Sequence, residues 1–332
     1  MSAEPITFPA CYPRPVILDQ LLRRRLVILS GKGGVGKSLV GAALALAARE
    51  RGKRVLLVEV DAPLSAARYF GAPDPGAAQS EILPGLFATN LDPAAVMEEY
   101  VRRMVKIDLL VRKILESPIY QRFFAAAPGL PDLMVLGKIM VLTEARDGWS
   151  RRPRYDVVIV DAPATGHGLA FLKVPLAASQ AVPVGPIGGN ARRILALLRD
   201  AARTALVLVA VPEEMAVVEA LEFQRLAVRE LEIAPAALVL NACHERRLSE
   251  GQERAVLQLG AQGADGPLAP GLSLAAALAA ARRHIRRRKL TRFYQTRLRR
   301  TLSVPLLSLP FLFEEEPGLA ELRGLAERLG AA

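Results

Sequence analysis

From residue 25 onward, short unbroken apolar runs alternate with longer stretches of helical periodicity. "RLVILS" (25–30) runs into a glycine loop and then a helix-like segment from Lys37 to Arg51, which Gly52 stops. "RVLLVEVD" (54–61), "GLFATNLD" (85–92), "YDVVIVDAP" (155–163), "ALVLVAVP" (205–212), "AALVLNAC" (236–243) and "SVPLLSLP" (303–310) read as further strands. Strands that are apolar on both faces and alternate with helices predict an α/β protein with a doubly wound, mostly parallel sheet. Residues 94–150 lack strand character and predict helices, broken near Pro118 and around "PGLPD" (128–132). More helices are expected over about 168–203. Residues 1–24 read as an irregular extension ending in the short helix "ILDQLLRRR", before a domain spanning 25–332. The Gly/Ala/Pro stretch 260–274 reads as a loop. The chain carries no internal repeat.

In such sheets ligands bind beyond the carboxyl ends of the strands. The glycine loop, Asp61, Asp161 and Asn241 each fall at or just past a strand end, so all four should converge on one edge.

Gly31 to Ser38 fits G-x-x-x-x-G-K-[ST] between a strand and a helix, the context this phosphate-binding motif needs. Gly33, Gly34 and Gly36 let the backbone curl so that successive N–H groups face a phosphate chain. The binding stretch is Gly31, Gly33, Gly34, Val35, Gly36, Lys37, Ser38 and Leu39. Lys37 would reach the terminal phosphates, and the Ser38 hydroxyl would hold magnesium. Asp161 is placed to ligate the same metal through water, or to cap a helix. Asp61 could orient the attacking water, and equally could be a turn aspartate before Ala62-Pro63.

Composition adds three constraints. The chain has 8 Lys against 36 Arg, so two lysines in one short loop stand out. Lys32 is the unexplained one: either a site needs a compact ammonium there, or it is an exposed loop lysine. Two cysteines, Cys11 and Cys243, cannot build a disulfide scaffold or a four-cysteine metal site, and Cys243 reads as a buried strand-end residue. With Glu4 and four prolines before residue 16, no secretory signal is expected and the location expected is cytoplasmic. Ten of the eleven net positive charges lie between Arg282 and Arg300. Ile285, Leu290, Phe293 or Tyr294, Leu298 and Leu302 give that segment helical spacing, predicting an amphipathic helix with a solvated basic face. Binding of nucleic acid, anionic lipid or an acidic partner there is the less favoured reading.

"GKGGVGKS" and "DAPATGHGLAFLKVP" resemble the ArsA-type ATPases, the deviant Walker A family that includes the arsenical-pump ATPase and the tail-anchored-protein targeting factor. "LFATNLDPAAVMEEY", "PGLPDLMVLGKIM" and "LPFLFEEEPGLAELRGLAERL" resemble further segments of that family, so the resemblance extends over about 25–330. It implies a P-loop NTPase fold with a helical subdomain inserted between two switch regions. It also implies ATP and Mg2+ as cofactors and a catalytic pair of chains, either a homodimer or a heterodimer with a paralogue. By resemblance, Lys32 reaches the partner chain's nucleotide, Lys37 serves the phosphates and Asp61 positions the water. Asp161 and His167 form the second switch, and Asn241 reads adenine.

The implied function is ATP-driven rearrangement of a dimer that energises a membrane transporter or handles a hydrophobic client. Two alternatives stay open: a partitioning-type ATP switch on DNA or membrane, and a weakly hydrolysing regulatory subunit. The first switch departs from the family's D-P-A-H, with Asp61 followed by Ala62, Pro63 and Leu64. The second lacks the family's first threonine. The cysteines of the arsenite-responsive members and the targeting factor's zinc clip are missing. Met97, Met104, Met134 and Met140 fit ordinary helix packing better than a client groove.

Overall fold

The computed structural model describes residues 15–62, 65–105, 112–113, 116–117, 129–148, 150–163, 165–182, 184–259, 267–269 and 272–331. Eight strands form one sheet in the order β10-β7-β6-β1-β5-β2-β4-β3. They are β1 (Leu26–Ser30), β2 (Val55–Val60), β3 (Ser80–Leu83), β4 (Leu86–Leu91), β5 (Val157–Asp161), β6 (Thr204–Ala210), β7 (Pro235–Cys243) and β10 (Leu306–Pro310). All pairings are parallel except β3 with β4. The antiparallel edge strand β3 was not expected. It is short and half-exposed, so it has neither the apolar run of a central strand nor a clear alternation.

Every residue of β1, β2, β5 and β6 is buried, so both faces of the sheet are covered. Helix α2 (Lys37–Glu50) packs on β1, β2, β4 and β5, with α10 (Leu319–Gly330) laid against it. Its run from Val40 to Ala48 is wholly buried, and the many alanines let it sit close to the strands. Helix α1 (Pro15–Leu22) belongs to the same core, with Leu18, Leu21 and Leu22 buried.

A helical layer comprises α3 (Pro93–Met104), α4 (Leu130–Glu144), α5 (Thr165–Ala181) and α6 (Gly185–Arg199). Asp92 caps α3 by accepting from the Ala95 N–H. Gly129, at φ +81°, precedes α4, so a helix starts within "PGLPD"; the residues just before it lie outside the described ones. The region around Pro118 and Trp149 lies outside the described residues. Met97, Met134 and Met140 are buried, in keeping with packing. The Met104 side chain also lies outside the described residues.

Helix α7 (Glu214–Leu226) follows β6, and α8 (Glu250–Leu259) leads towards α9 (Leu274–Thr301), the basic helix. Within the 260–274 stretch, the described residues pair as a small ribbon of β8 (Pro267–Ala269) and β9 (Leu272–Ser273) rather than a plain loop. Ile285, Tyr294 and Leu298 of α9 are buried as the spacing predicts. Leu290 and Phe293 instead face outward, 43% and 57% exposed, and Thr291 takes an inward position. The registry turns on an inward hydrogen bond, in which the His244 N–H donates to Thr291 Oγ1 at 3.2 Å.

Candidate functional site

The chain leaves β1 and β6 in opposite directions across the sheet, and that reversal opens a crevice beyond their carboxyl ends. The loop after β1 lies there. Gly34 and Gly36 hold φ of +81° and +85°, a left-handed conformation that a side chain would oppose. A Cβ on Gly31 would collide with the Val209 carbonyl, and one on Gly36 with Asn241 Nδ2. The loop is therefore bare backbone, and α2 starts at its end with no side chain capping its first N–H groups. Those donors and the positive helix terminus form an anion site.

Lys37 folds back over this loop, with Nζ 3.2 Å from the Gly31 carbonyl and 3.4 Å from the Lys32 carbonyl. Ser38 Oγ donates to Asp161 Oδ2 at 2.5 Å. The second Asp161 oxygen, Oδ1, is buried and has no hydrogen-bond partner among the described residues. Burial raises the Asp161 carboxyl above the usual range, and the bond from Ser38 and the Lys37 charge oppose this. Burial also lowers the Lys37 ammonium, with Asp161 opposing. A serine hydroxyl beside a carboxylate with an unused buried oxygen suits a hard divalent cation such as magnesium.

Asn241, on β7, is buried and donates from Nδ2 to the Val35 carbonyl at 3.0 Å, tying the strand end to the glycine loop. Ala242 follows at φ +54°. Cys243 is buried as read from sequence, and burial pushes its thiol up to about 12. Cys11 lies outside the described residues. His244 stacks on Phe311 at 4.5 Å between ring centres, and its Nδ1 is buried without a partner among the described residues.

Asp61 stands exposed at the end of β2 with φ +48°, an unusual conformation for a residue with a side chain. Its N–H is held by the Leu91 carbonyl at 3.0 Å. Two residues that sequence reasoning passed over fix the segment after it. Asn90 accepts from the Ala62 N–H at 3.2 Å and donates to the Ala62 carbonyl at 2.8 Å. Glu59, fully buried, accepts from Ser65 Oγ at 2.5 Å and from the Ala66 N–H at 2.7 Å. Burial raises its carboxyl above the ordinary value. A lone acid inside the apolar run "VLLVEV" was the available signal for Glu59. Pro63, Leu64 and the His167 side chain lie outside the described residues.

Lys32 is not a bare loop lysine, since its Nζ forms an ion pair with Glu219 Oε1 on α7 at 2.8 Å. The crevice thus gathers Lys32, Lys37, Ser38, Asp61, Asp161 and Asn241 on one edge of the sheet.

Residues 24–183 match the family model described as anion-transporting ATPase. Over that stretch, just under half of its length, the chain is similar to the ArsA-type ATPases. The matched stretch contains the glycine loop, Asp61 and Asp161, so the similarity supports nucleotide binding at the level of the family. The chain is similar to ATPase BagA of Mycobacterium tuberculosis, 34% identical over 215 residues, or 63% of each chain. It is 30% identical to an arsenical pump-driving ATPase of Escherichia coli over 201 residues, covering 55% of this chain and 33% of that one. A putative arsenical pump-driving ATPase 2 of Aquifex aeolicus is 29% identical over 154 residues, 45% of this chain and 48% of that one. The chain therefore aligns with less than two thirds of the length of these relatives. No helix among its described residues is long and apolar enough to cross a membrane.

Proposed function

We propose that the protein is a magnesium-dependent ATPase that works as a pair of chains and couples ATP hydrolysis to movement of its helical layer. The observation that carries this reading is the contact of Ser38 with Asp161, which closes the glycine loop onto the end of β5. In the proposed scheme the N–H groups of residues 31–39 hold the phosphates. Lys37 turns from the loop carbonyls to the β- and γ-phosphates, and Asn241 contacts adenine. Ser38 would hold magnesium directly and Asp161 through water; the cation would offset charge on the phosphate oxygens. Asp61 aligns a water whose oxygen bonds to the γ-phosphorus as the bond to the ADP oxygen breaks, releasing phosphate. Positioning and charge stabilisation carry such a reaction.

The paired state rests on Lys32, which would leave Glu219 for the partner's nucleotide. Met215 and Val218 lend support: both are exposed on α7 beside Glu219, at the same edge. For the output, the helical layer holds a cavity of about 310 Å³ whose lining includes Tyr100, Leu133, Met134, Met140 and Ile194. Adaptable methionines there suit a layer that changes arrangement or meets an apolar client. Names of relatives such as arsenical pump-driving ATPase support a transporter partner. A buried thiol at Cys243 does not suit arsenite as cargo.

Turnover measured with magnesium and with chelator, together with particle mass under ATP, ADP and no nucleotide, tests the proposal. Lys32→Ala should bind ATP yet fail to pair. If it binds, pairs and hydrolyses like wild type, the paired mechanism is wrong.

A further inference from the structure

Helix α9 is 28 residues long, about 42 Å at the helical rise, and it is docked along its length. Leu278, Ile285, Thr291, Tyr294 and Leu298 point inward, and Gln295 donates to Ser308 Oγ at 3.1 Å. Its opposite side presents Arg286, Lys289, Leu290, Phe293, Arg297 and Arg300. Their spacing of three and four residues puts them on one face. Among the described residues, the ion pair made by this helix joins Arg288 to Glu253 on its flank, away from that stripe. Among the described residues the four stripe cations thus face solvent without a carboxylate, and two large apolar side chains sit exposed between them.

Solubility needs no such arrangement, because mixed signs serve it with less self-repulsion. Nucleic acid would use the cations but has little use for an exposed leucine, and a helix docked lengthwise does not project into a groove. A bilayer surface rich in anionic lipid uses both features at once. Its headgroups neutralise the cations, and its acyl boundary accepts the apolar side chains. We propose that the outward face of α9 docks on anionic lipid bilayers, with Leu290 and Phe293 entering between the headgroups. This surface is separate from the crevice, and its test uses no nucleotide, so it stands or falls apart from the ATPase reading.

The full chain should cosediment with vesicles containing phosphatidylserine, less so at high salt, and weakly with pure phosphatidylcholine. Arg286→Gln/Lys289→Gln/Arg297→Gln should weaken binding roughly 100-fold, at about fivefold per cation. Leu290→Ser/Phe293→Ser should weaken it roughly tenfold or more, with the charge untouched. Unchanged urea midpoints in both variants verify folding. As a second measurement, Phe293→Trp in a Trp149→Phe background should show blue-shifted emission with anionic vesicles. Equal binding to both vesicle types, wild-type binding by the serine variant, or no emission shift would overturn the proposal. So would salt-sensitive binding to DNA or RNA without vesicle binding.

Discussion

Lys32 Nζ and Glu219 Oε1 form an ion pair at 2.8 Å, joining the glycine loop to α7 within a single chain. A lysine engaged in this way cannot simultaneously reach a second chain, so the pair must open if Lys32 acts across an interface. Glu219→Gln should therefore favour ATP-dependent pairing. Both side chains are about a third exposed, so the gain is small, about 0.2–1 kcal/mol, or up to roughly fivefold in dimer affinity. Sedimentation equilibrium with a non-hydrolysable ATP analogue measures it. Weaker pairing in the variant would contradict the competition.

Asp161→Asn keeps the size of the side chain but removes the carboxylate facing Ser38. Turnover should fall by about 10²–10³ if the charge acts in phosphoryl transfer. ADP without magnesium should still bind, because the backbone cradle is intact. Steady-state kinetics and calorimetry together separate these effects.

Removal of Glu59 should loosen the chain after Asp61. Glu59→Ala strands Ser65 Oγ and the Ala66 N–H in a buried site, costing about 1–3 kcal/mol of stability by urea unfolding. Glu59→Gln retains an acceptor and should cost less. Asn90→Ala should lower kcat with a smaller change in stability, since it frees Ala62 beside Asp61.

His244 should make stability depend on pH. Its basicity is lowered by burial first, and then by His284, Arg287 and Arg247 nearby. A folded-state value below the unfolded one means the unfolded chain binds the proton more readily. The stabilisation is present above the ordinary histidine value and is lost as pH falls through the folded value. His244→Phe keeps the stack on Phe311 without the titration. Between pH 8 and pH 5, its urea midpoint should fall less than that of wild type.

Much of the architecture was legible along the chain because buried parallel strands are unbroken apolar runs and the phosphate loop is a contiguous motif. The parallel strands of the sheet were readable on that basis. The edge strand β3 was not, because a half-exposed edge lacks the apolar signal and is defined by pairing with β4. Asp61, Asp161 and Asn241 were singled out as candidates by their places at strand ends, where the structure puts them. Asn90 was missed because its two bonds to Ala62 depend on β2 and β4 being neighbours.

By itself the sequence determined the α/β class, the bare glycine loop with Lys37 and Ser38, and the excess of arginine in one helix. Those properties are local, set by periodicity, steric freedom and charge within a few turns of chain. Tertiary structure alone decided that Lys32 meets Glu219, that Glu59 holds Ser65, and that Leu290 and Phe293 face outward on α9. Each depends on which elements the sheet order brings together and on which side chains find a partner when buried. No spacing along the chain records that outcome.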